Sequence, residues 1–434
     1  MLARDGREVW NATLAVAGRH ALGRLKDLDG LALPPGIGDE DPRDGVEAVA
    51  VLRGLHVLPG VSAVDGYAAL FTFLRRRLDF SAGNLCEFAY DWRVSVRLNA
   101  ARMGRRVEAM LEEWRRRSGN PEAEVVFIAH SMGGLIARYY VDVLGGSAIT
   151  RRLITIGTPY RGSINALSTL QSGVAPRLGP LSRPFTRLAR SLPSLHQLLP
   201  TWPCVVAPDG SRTALAPADL LAADAGHLAS AQRLHQELEQ AAPRNARYEL
   251  HIFGGSRQPT AQSAVRDKAD ESFRISRALD GEDHRGDGTV PRFSCFPPDF
   301  TDDTGVRYFA QKHGALQNER ALLNQIEAIL TARSPRSFLD GRLELGIDTP
   351  EVVEAGVCPV TLDADADDLA LSATAQDAES GETTRAYALR NRGAGRYDAR
   401  LELPAPGAWR ITVGDAAPTG GRVHPVTSIV LAAP

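Results

Sequence analysis

The chain has few cysteines, and they lie far apart. Its 434 residues contain four of them, and no two form a Cys-x-x-Cys pair. They are Cys86, Cys204, Cys295 and Cys358. This spacing favours free buried thiols over a disulfide framework or a zinc site. The His-Glu-x-x-His motif of zinc hydrolases is also missing, so we predict no metal and no cofactor.

The chain also lacks an excess of charge of either sign and any long apolar run. Its 50 Lys and Arg residues nearly balance its 52 Asp and Glu residues, so we expect no nucleic-acid partner. No run approaches the roughly 20 apolar residues of a membrane-spanning helix. The first residues hold no apolar signal-peptide core, and we therefore predict a cytoplasmic protein. Nothing in the sequence indicates an oligomeric state.

What the chain does contain is a serine between an apolar strand and a helix. Residues 125–129 are apolar or small and predict a buried strand, and a helix follows from about Gly133. Ser131 lies between them in the pattern small-x-Ser-x-Gly, with Ala129 as the first small residue. A sharp turn from strand to helix strains the backbone and leaves room only for small neighbours. The pattern predicts Ser131 as a nucleophile and the Met132 N–H as an oxyanion donor.

Strands and helices alternate around this turn. Apolar runs predict strands at 84–90, 153–157 and 248–255, and apolar spacing of three and four predicts helices at 98–117 and 316–332. This order predicts an α/β fold, with a mostly parallel sheet and helices on both faces.

Two segments depart from this rhythm. A proline-rich insertion at about 165–242 is typical of a cap over an active site, which could also touch a membrane surface. An excursion with a small core of its own is the alternative. After residue 335, short alternating segments between turns predict an antiparallel all-β sandwich, with the immunoglobulin type as one option. We therefore predict two domains, 1–335 and 336–434, and take the second as a binding or packing module.

A serine nucleophile needs a base, and the base needs an acid that fixes its tautomer. In this topology the chain order is Ser, acid, His. His313 lies just before the last predicted helix and fits as the base, with His284 as its competitor. Asp287 fits as the acid because glycines flank it on both sides. Chain order alone also allows Asp283, Asp299, Asp302 and Asp303.

Several motifs together resemble the lecithin:cholesterol acyltransferase family of the α/β-hydrolase superfamily, in a bacterial form. The matching pieces are Tyr90-Asp91-Trp92-Arg93, Ala129-His130-Ser131-Met132-Gly133-Gly134, Ile156-Gly157-Thr158-Pro159-Tyr160-Arg161-Gly162-Ser163, Pro193-Ser194-Leu195-His196-Gln197-Leu198-Leu199-Pro200, Gly286-Asp287-Gly288-Thr289-Val290-Pro291 and the His313 loop. They cover about residues 1–335. The resemblance implies an α/β-hydrolase fold, a Ser131, Asp287 and His313 triad, and acyl-ester chemistry on lipids.

Two stretches are open to more than one interpretation. Residues 90–93 come directly after a predicted strand and could line the substrate pocket, but we favour an ion pair and a packed indole that support the turn at Ser131. Residues 158–162 are interpreted in the same way, as a shaped loop beside the pocket.

The start of the chain departs from the family. Its members usually begin with an apolar strand and a Pro-Gly-x-x-Gly loop, which supplies a second oxyanion donor. The stretch Met1-Leu2-Ala3-Arg4 resembles the residues just after that loop, so we expect either a longer chain or a missing donor. Losing one donor typically lowers kcat by about 10²–10³. Pro59-Gly60-Val61 could replace it, although a purely structural turn is the simpler interpretation.

The predicted function is a serine-dependent acyl-ester enzyme acting on lipids through an acyl-enzyme intermediate. It would be an O-acyltransferase if an alcohol accepts the acyl group, and a phospholipase or lipase if water does. One alternative is a catalytically impaired binding protein of the same fold, with the C-terminal module as its interaction surface. The other is an esterase of non-lipid substrates.

Overall fold

The protein is described here from a computed structural model. It describes residues 1–10, 30–53, 56–57, 63–78, 80, 83–173, 183–220, 223–241, 247–267, 273–300, 302–331, 342–353, 356–416 and 421–433.

In chain order, the strands of these ranges are β1 (Leu2–Arg4), β2 (Arg7–Trp10), β3 (Val46–Ala48), β4 (His56–Val57), β5 (Ala63–Val64), β6 (Val125–His130), β7 (Thr150–Ile156), β8 (Val205–Val206), β9 (Arg212–Thr213), β10 (Glu249–Gly255), β11 (Ser263–Arg266), β12 (Phe273–Ser276), β13 (Val306–Phe309), β14 (Leu345–Asp348), β15 (Val352–Val353), β16 (Val357–Ala364), β17 (Leu371–Asp377), β18 (Tyr387–Ala388), β19 (Arg390–Gly393), β20 (Arg396–Glu402), β21 (Gly407–Asp415) and β22 (Val426–Ala432).

The α-helices are α1 (Ala68–Arg77), α2 (Val96–Ser118), α3 (Met132–Arg138), α4 (Ile164–Ser172), α5 (Arg183–Arg190), α6 (Pro193–His196), α7 (Ala225–Gln240) and α8 (Arg320–Thr331).

A parallel sheet with the order β13-β10-β7-β6 positions the site. All three neighbouring pairs are parallel. Side chains of successive strand residues point to opposite faces. Leu153 of β7 therefore packs among the apolar residues of α2 and α3. Ile154 and Ile156 of the same strand pack among those of α1 and α8. The predicted α/β sheet with helices on both faces is confirmed.

The longest helix of the described residues shows how local sequence sets its ends. The Ser95 hydroxyl caps α2 by accepting the Leu98 N–H at 3.1 Å. Gly119 ends the helix in the left-handed region, with φ 68°. Met103 and Val107, four residues apart, are buried on its inner face.

The strand predicted at 84–90 is wrong. The structure has a turn at residues 83–84 and an irregular segment at 85–90. Apolar composition favours an extended chain, but a strand also needs a hydrogen-bonded neighbour. Among the described residues, the sheet ends at β6 and none of its strands pairs with this segment. The predicted last helix also differs, because a 3-10 turn at Leu316–Asn318 precedes α8.

The proline-rich insertion forms α4 to α7 with β8 and β9. Its strands join a small sheet of order β12-β11-β8-β9, so two of the partners come from beyond residue 242. Its apolar side chains, among them Leu188, Leu195 and Leu234, belong to the same buried cluster as those of α2 and α3. The alternative of an excursion with its own small core is therefore wrong.

The C-terminal residues form the expected all-β sandwich. One sheet has the order β14-β16-β20-β19 and the other β15-β22-β21-β17-β18. All pairs are antiparallel except β15 with β22. Along β21 the buried residues alternate, with Trp409, Ile411 and Val413 facing a core that both sheets share. The predicted domain boundary, at residues 335–336, lies outside the described residues, so the division into two domains stays a prediction.

Two smaller observations concern the cysteines and the length of the helices. All four cysteines are free; Cys86 is half-buried and the other three are buried. None of the helices in the ranges given above is long and apolar enough to cross a membrane.

Candidate active site

Ser131 occupies the single position between β6 and α3. Its backbone has φ 55° and ψ −132°, a region that a residue with a Cβ rarely enters. The Ser131 N–H donates to the Ile156 carbonyl at 2.9 Å, and the Ser131 carbonyl accepts from the Gly134 N–H at 2.9 Å. The strained turn expected from the sequence is therefore present, and neighbouring backbone bonds hold it on both sides.

His313 lies within hydrogen-bond distance of the serine. Its Nε2 is 2.8 Å from Ser131 Oγ, and its Nδ1 is 2.7 Å from Asp287 Oδ2. Since a carboxylate only accepts, Nδ1 carries the proton and Nε2 is left to accept from the hydroxyl. The structure thus brings the three predicted residues into one chain of hydrogen bonds. His313 and Asp287 are each 1% exposed, so water scarcely competes for these bonds.

The Asp287 carboxylate is held on both of its oxygens. While Oδ2 faces the imidazole, Oδ1 accepts the backbone N–H groups of Thr289 at 2.9 Å and Val290 at 2.6 Å. The Asp287 carbonyl also accepts the His313 N–H at 2.8 Å. An ionised carboxylate has acceptor sites for all of these donors. The loop that carries Asp287 (residues 277–291, the acid loop) and the loop that carries His313 (residues 310–315, the base loop) are therefore tied together by backbone as well as side-chain bonds.

Two glycines leave the room that this arrangement needs. A Cβ added at Gly157, whose φ is 56°, would lie 3.1 Å from Asp287 Oδ2 and 3.2 Å from His313 Nδ1. One added at Gly255 would lie 2.2 Å from the Asp287 Cβ. Gly255 ends β10 and Gly157 directly follows β7, so the sheet approaches the acid and base at a distance that side chains would prevent.

A second histidine supports the first, and the sequence reasoning missed it. The His130 Nε2–H donates to the His313 carbonyl at 3.0 Å, and its Nδ1 accepts the Tyr67 hydroxyl at 3.0 Å. Burial, together with the nearby His313, lowers the pKa of His130 to about 3. His130 therefore stays neutral in the tautomer that these bonds require. The sequence did offer one signal for this role, because His130 directly precedes Ser131 at the end of the predicted strand.

The other candidates for acid and base lie elsewhere. The His284 ring packs edge-on against Phe293 at 5.5 Å. The remaining aspartates bind other partners, namely Gln262 for Asp283, Arg138 for Asp299, Thr304 for Asp302 and Arg292 for Asp303. Within the described ranges, no group of three His, Cys, Asp or Glu side chains could hold a metal ion.

One of the two predicted oxyanion donors, the Met132 N–H, lies within the described residues. Met132 is the first residue of α3, and the N–H of a first helical residue has no acceptor within its own helix. It therefore has no partner within α3 and fits the role of the predicted oxyanion donor. The other candidate donor, Pro59-Gly60-Val61, lies outside the described residues.

Residues 90–93 form the ion pair that the structural interpretation predicted. The fully buried Arg93 guanidinium contacts Asp91 at 2.8 Å and Asp44 at 2.7 Å. Burial opposes the charge on Arg93, but the hydrogen bonds to both carboxylates outweigh it and raise its pKa. The Trp92 ring packs on Trp10, with 5.0 Å between centroids.

The loop after Gly157 connects the acid loop to the insertion. The Ser163 hydroxyl donates to the Thr289 carbonyl at 2.5 Å, and the Ser163 N–H donates to the Leu198 carbonyl at 2.8 Å. A Cβ at Gly134 would lie 1.9 Å from Thr158 Oγ1, so α3 also packs closely on this loop. These contacts fit the interpretation of residues 158–162 as a shaped loop.

Comparisons with known proteins give one sequence match and several distant structural ones. The lecithin:cholesterol acyltransferase family model matches residues 64–214. The lipase BlEst2 of Bacillus licheniformis, in its propeptide form, is 11% identical with a TM-score of 0.34, over 78% of this chain and 83% of that one. The phospholipase PlaB of Legionella pneumophila is 13% identical with a TM-score of 0.34, over 88% of this chain and 89% of that one.

A CARDB domain from Pyrococcus furiosus is 13% identical with a TM-score of 0.16, over 23% of this chain and 95% of that one. TM-scores this low carry no conclusion about function. No curated protein matches the chain in sequence.

The family match includes Ser131 and residues 90–93, whereas Asp287 and His313 lie beyond its end. The resemblance predicted from the motifs is thus confirmed over residues 64–214, where this chain is similar to the lecithin:cholesterol acyltransferase family.

Proposed function

We propose that the protein is a serine-dependent acyl-ester enzyme acting on lipids, with Ser131 as nucleophile, His313 as base and Asp287 as acid. One observation carries the proposal: the unbroken hydrogen-bond chain from Ser131 Oγ through His313 to Asp287, at 2.8 Å and 2.7 Å. A serine hydroxyl is a poor nucleophile at neutral pH unless an adjacent base takes its proton.

The catalytic steps derive from this arrangement. Nε2 of His313 takes the proton as Ser131 Oγ attacks the ester carbonyl, and Asp287 stabilises the imidazolium that forms. The Met132 N–H donates to the oxyanion. His313 then protonates the leaving alcohol, and the acyl group stays on Ser131. A water molecule or a second alcohol, deprotonated by His313, releases the acyl group and restores the serine.

The lipid class of the substrate is supported by the family match, since the family is named for acyl transfer from a phospholipid to a sterol. We propose that the insertion caps the site. Its contacts with residues 158–163, which also bind the acid loop, support this role. How well such a cap excludes water would decide between O-acyltransferase and phospholipase or lipase activity.

The test uses purified full-length protein and a fluorophosphonate probe, which labels activated serines. We expect labelling and turnover of phosphatidylcholine vesicles, and loss of both in Ser131→Ala. Adding a lipid alcohol such as cholesterol should produce a sterol ester only if the protein is an acyltransferase. Turnover that persists in Ser131→Ala would contradict the proposed mechanism.

Two other outcomes would replace the lipid assignment. Turnover of p-nitrophenyl butyrate without any turnover of phospholipid would indicate a non-lipid esterase. Folded protein with neither labelling nor turnover would indicate a catalytically impaired binding protein of the same fold.

A further inference from the structure

A buried glutamine joins the base loop to the C-terminal sandwich. Gln311, two residues before His313, is 4% exposed. Its Oε1 accepts the N–H of Thr427 in β22 at 3.0 Å and the N–H of Lys312 at 3.0 Å. One carboxamide oxygen thus binds a strand of the sandwich and the base loop at the same time.

A second buried glutamine does the same behind the acid loop. Gln258 is 0% exposed. Its Nε2 donates to the Leu345 carbonyl at 3.2 Å, and its Oε1 accepts the Ile347 N–H at 3.0 Å. Both bonds go to β14, the outer strand of its sheet. Its own N–H donates to the carbonyl of Gly286, the residue before Asp287, at 3.0 Å.

Two further contacts hold the sandwich close to the two loops. We call this region, around Gln258 and Gln311, the junction. A Cβ at Gly346, in the middle of β14, would lie 2.6 Å from the Arg257 carbonyl oxygen. A second link reaches the residue that follows His313. Arg410 of β21 pairs with Asp65 at 3.1 Å. The Asp65 N–H in turn donates to the Gly314 carbonyl at 2.7 Å. The sandwich therefore reaches the acid loop through Gln258 and also through Arg285, whose guanidinium is 3.7 Å from the Asp363 carboxylate of β16. It reaches the base loop through Gln311 and, by way of Asp65, through Gly314.

These bonds pair groups that would otherwise cost free energy when buried. Each glutamine satisfies backbone N–H groups of a sandwich strand, and burying those groups without a partner is unfavourable. The loops that carry Asp287 and His313 contain no regular strand or helix at these residues. Their positions depend on such contacts, and a displacement of about 1 Å at reacting atoms can lower a rate about 10²-fold.

We propose that Gln258 and Gln311 are positioning residues, through which the C-terminal sandwich holds the acid and base loops in line with Ser131. This role rests on the proposed function. It makes the sandwich part of the catalytic unit, whereas the sequence reasoning took it as a separate binding or packing module.

The test compares four variants of the full chain on p-nitrophenyl butyrate, one of which is Gln258→Met. Gln311→Met keeps the length of the side chain but removes the acceptor oxygen. The double variant Gln311→Glu with Glu319→Gln keeps that oxygen and reverses the donor and acceptor of the contact between Gln311 Nε2 and Glu319 Oε2, which are 3.4 Å apart. Tyr397→Phe is the matched control, since it removes a buried acceptor of the Leu369 N–H inside the sandwich.

We expect Gln311→Met to lower kcat about 10- to 100-fold with KM within about threefold of the wild type. The double variant should recover most of kcat. Tyr397→Phe should lower Tm while leaving kcat unchanged. Gln258→Met should lower kcat in the same way as Gln311→Met, and either variant suffices if the other does not fold. Hydrogen exchange at the His313 amide should speed up in Gln311→Met and not in Tyr397→Phe.

Wild-type kcat and unchanged exchange at the His313 amide in folded Gln311→Met would overturn this inference and leave the proposed function standing. An equal loss of kcat in Tyr397→Phe would also overturn it, because general destabilisation would then explain the effect. If the wild type shows neither turnover nor labelling, the proposed function fails and the positioning role fails with it.

Discussion

The parallel sheet around Ser131 and the C-terminal sandwich bury different kinds of side chain. At the carboxyl ends of β6 and β7 and in the loops beside them, the sheet buries His130, Asp287 and His313, all at most 6% exposed. The sandwich core is mostly apolar, and residues such as Ile411 and Val413 are 0% exposed. Both regions are well packed, but the first buries imidazole and carboxylate groups that each need a partner, whereas the polar groups buried in the sandwich, such as those of Ser428 and Tyr397, are hydroxyls.

This difference indicates how each region responds to substitution. In the sandwich, a core side chain contributes through apolar burial and packing, so its loss lowers the free energy of unfolding. Around Ser131, a side chain contributes through the direction of a hydrogen bond, so its loss changes a rate. Substituting either of the two glutamines at the junction should affect both stability and rate. Each is a buried polar group that needs a partner, and each contacts a loop that carries Asp287 or His313.

The largest expected effect is at Ser131, the proposed nucleophile. In the proposed mechanism Ser131→Ala removes the attacking oxygen, so we expect kcat to fall about 10⁴–10⁶-fold. Steady-state turnover of an ester measures this. The Tm should change little, because the substitution removes one half-buried hydroxyl. A large fall in Tm would mean that the serine is structural.

The next effect is at Gly157, where the sheet meets the acid and base. Gly157→Ala places a methyl group 3.1 Å from Asp287 Oδ2 and 3.2 Å from His313 Nδ1, in a left-handed backbone conformation. We expect the loops to shift and kcat to fall about 10²-fold. Gly414→Ala in β21 is the control, since its Cβ would meet Pro425 at an ordinary 3.6 Å. Equal effects of the two variants would contradict the contrast between the regions.

A pH effect should result from His130. Its pKa is lowered to about 3 in the folded chain, below the usual value of about 6.5. Between these two values the unfolded chain binds the extra proton, so stability is complete above about pH 6.5 and decreases as the pH falls toward about 3. We expect a loss of up to about 1.4 kcal/mol per pH unit from this group.

The measurement is chemical unfolding of the wild type and of His130→Asn at several pH values from about 4 to about 8, which cover most of the window between those two pKa values. The variant should lose less stability on acidification than the wild type. Parallel curves would show that His130 does not titrate in this way.

The smallest effect on catalysis is expected in the sandwich core. Ile411→Ala should cost about 2–4 kcal/mol of unfolding free energy, as is usual for a buried aliphatic side chain cut to Ala. We expect kcat of the folded protein to stay within about twofold, since the Ile411 side chain faces the apolar core, on the opposite face of β21 from its neighbour Arg410. A loss of kcat larger than that caused by Gln311→Met would contradict this ranking.

Most of the sheet was predictable because its strands are continuous apolar runs. In the sandwich, composition alone does not predict β16 and β17. The first contains Pro359 and Asp363, and the second consists of small and polar residues. Such residues have low strand propensity, and here pairing with β20 and β21 overrides it. The strand expected at 84–90 failed for the opposite reason, since its composition favoured a strand that no described neighbour pairs with.

The sequence by itself determined the turn at Ser131, because the strain is local and the residues two positions away on either side, Ala129 and Gly133, are small. It also limited the base and the acid to a few candidates through chain order. Only the tertiary structure decided which aspartate faces His313, since that contact joins residues 26 apart, and the one to Ser131 joins residues 182 apart. It also decided the parts played by His130, Gln258 and Gln311. Each of them makes at least one hydrogen bond to a backbone group far away along the chain. Side-chain identity along the chain does not encode which backbone group will be near.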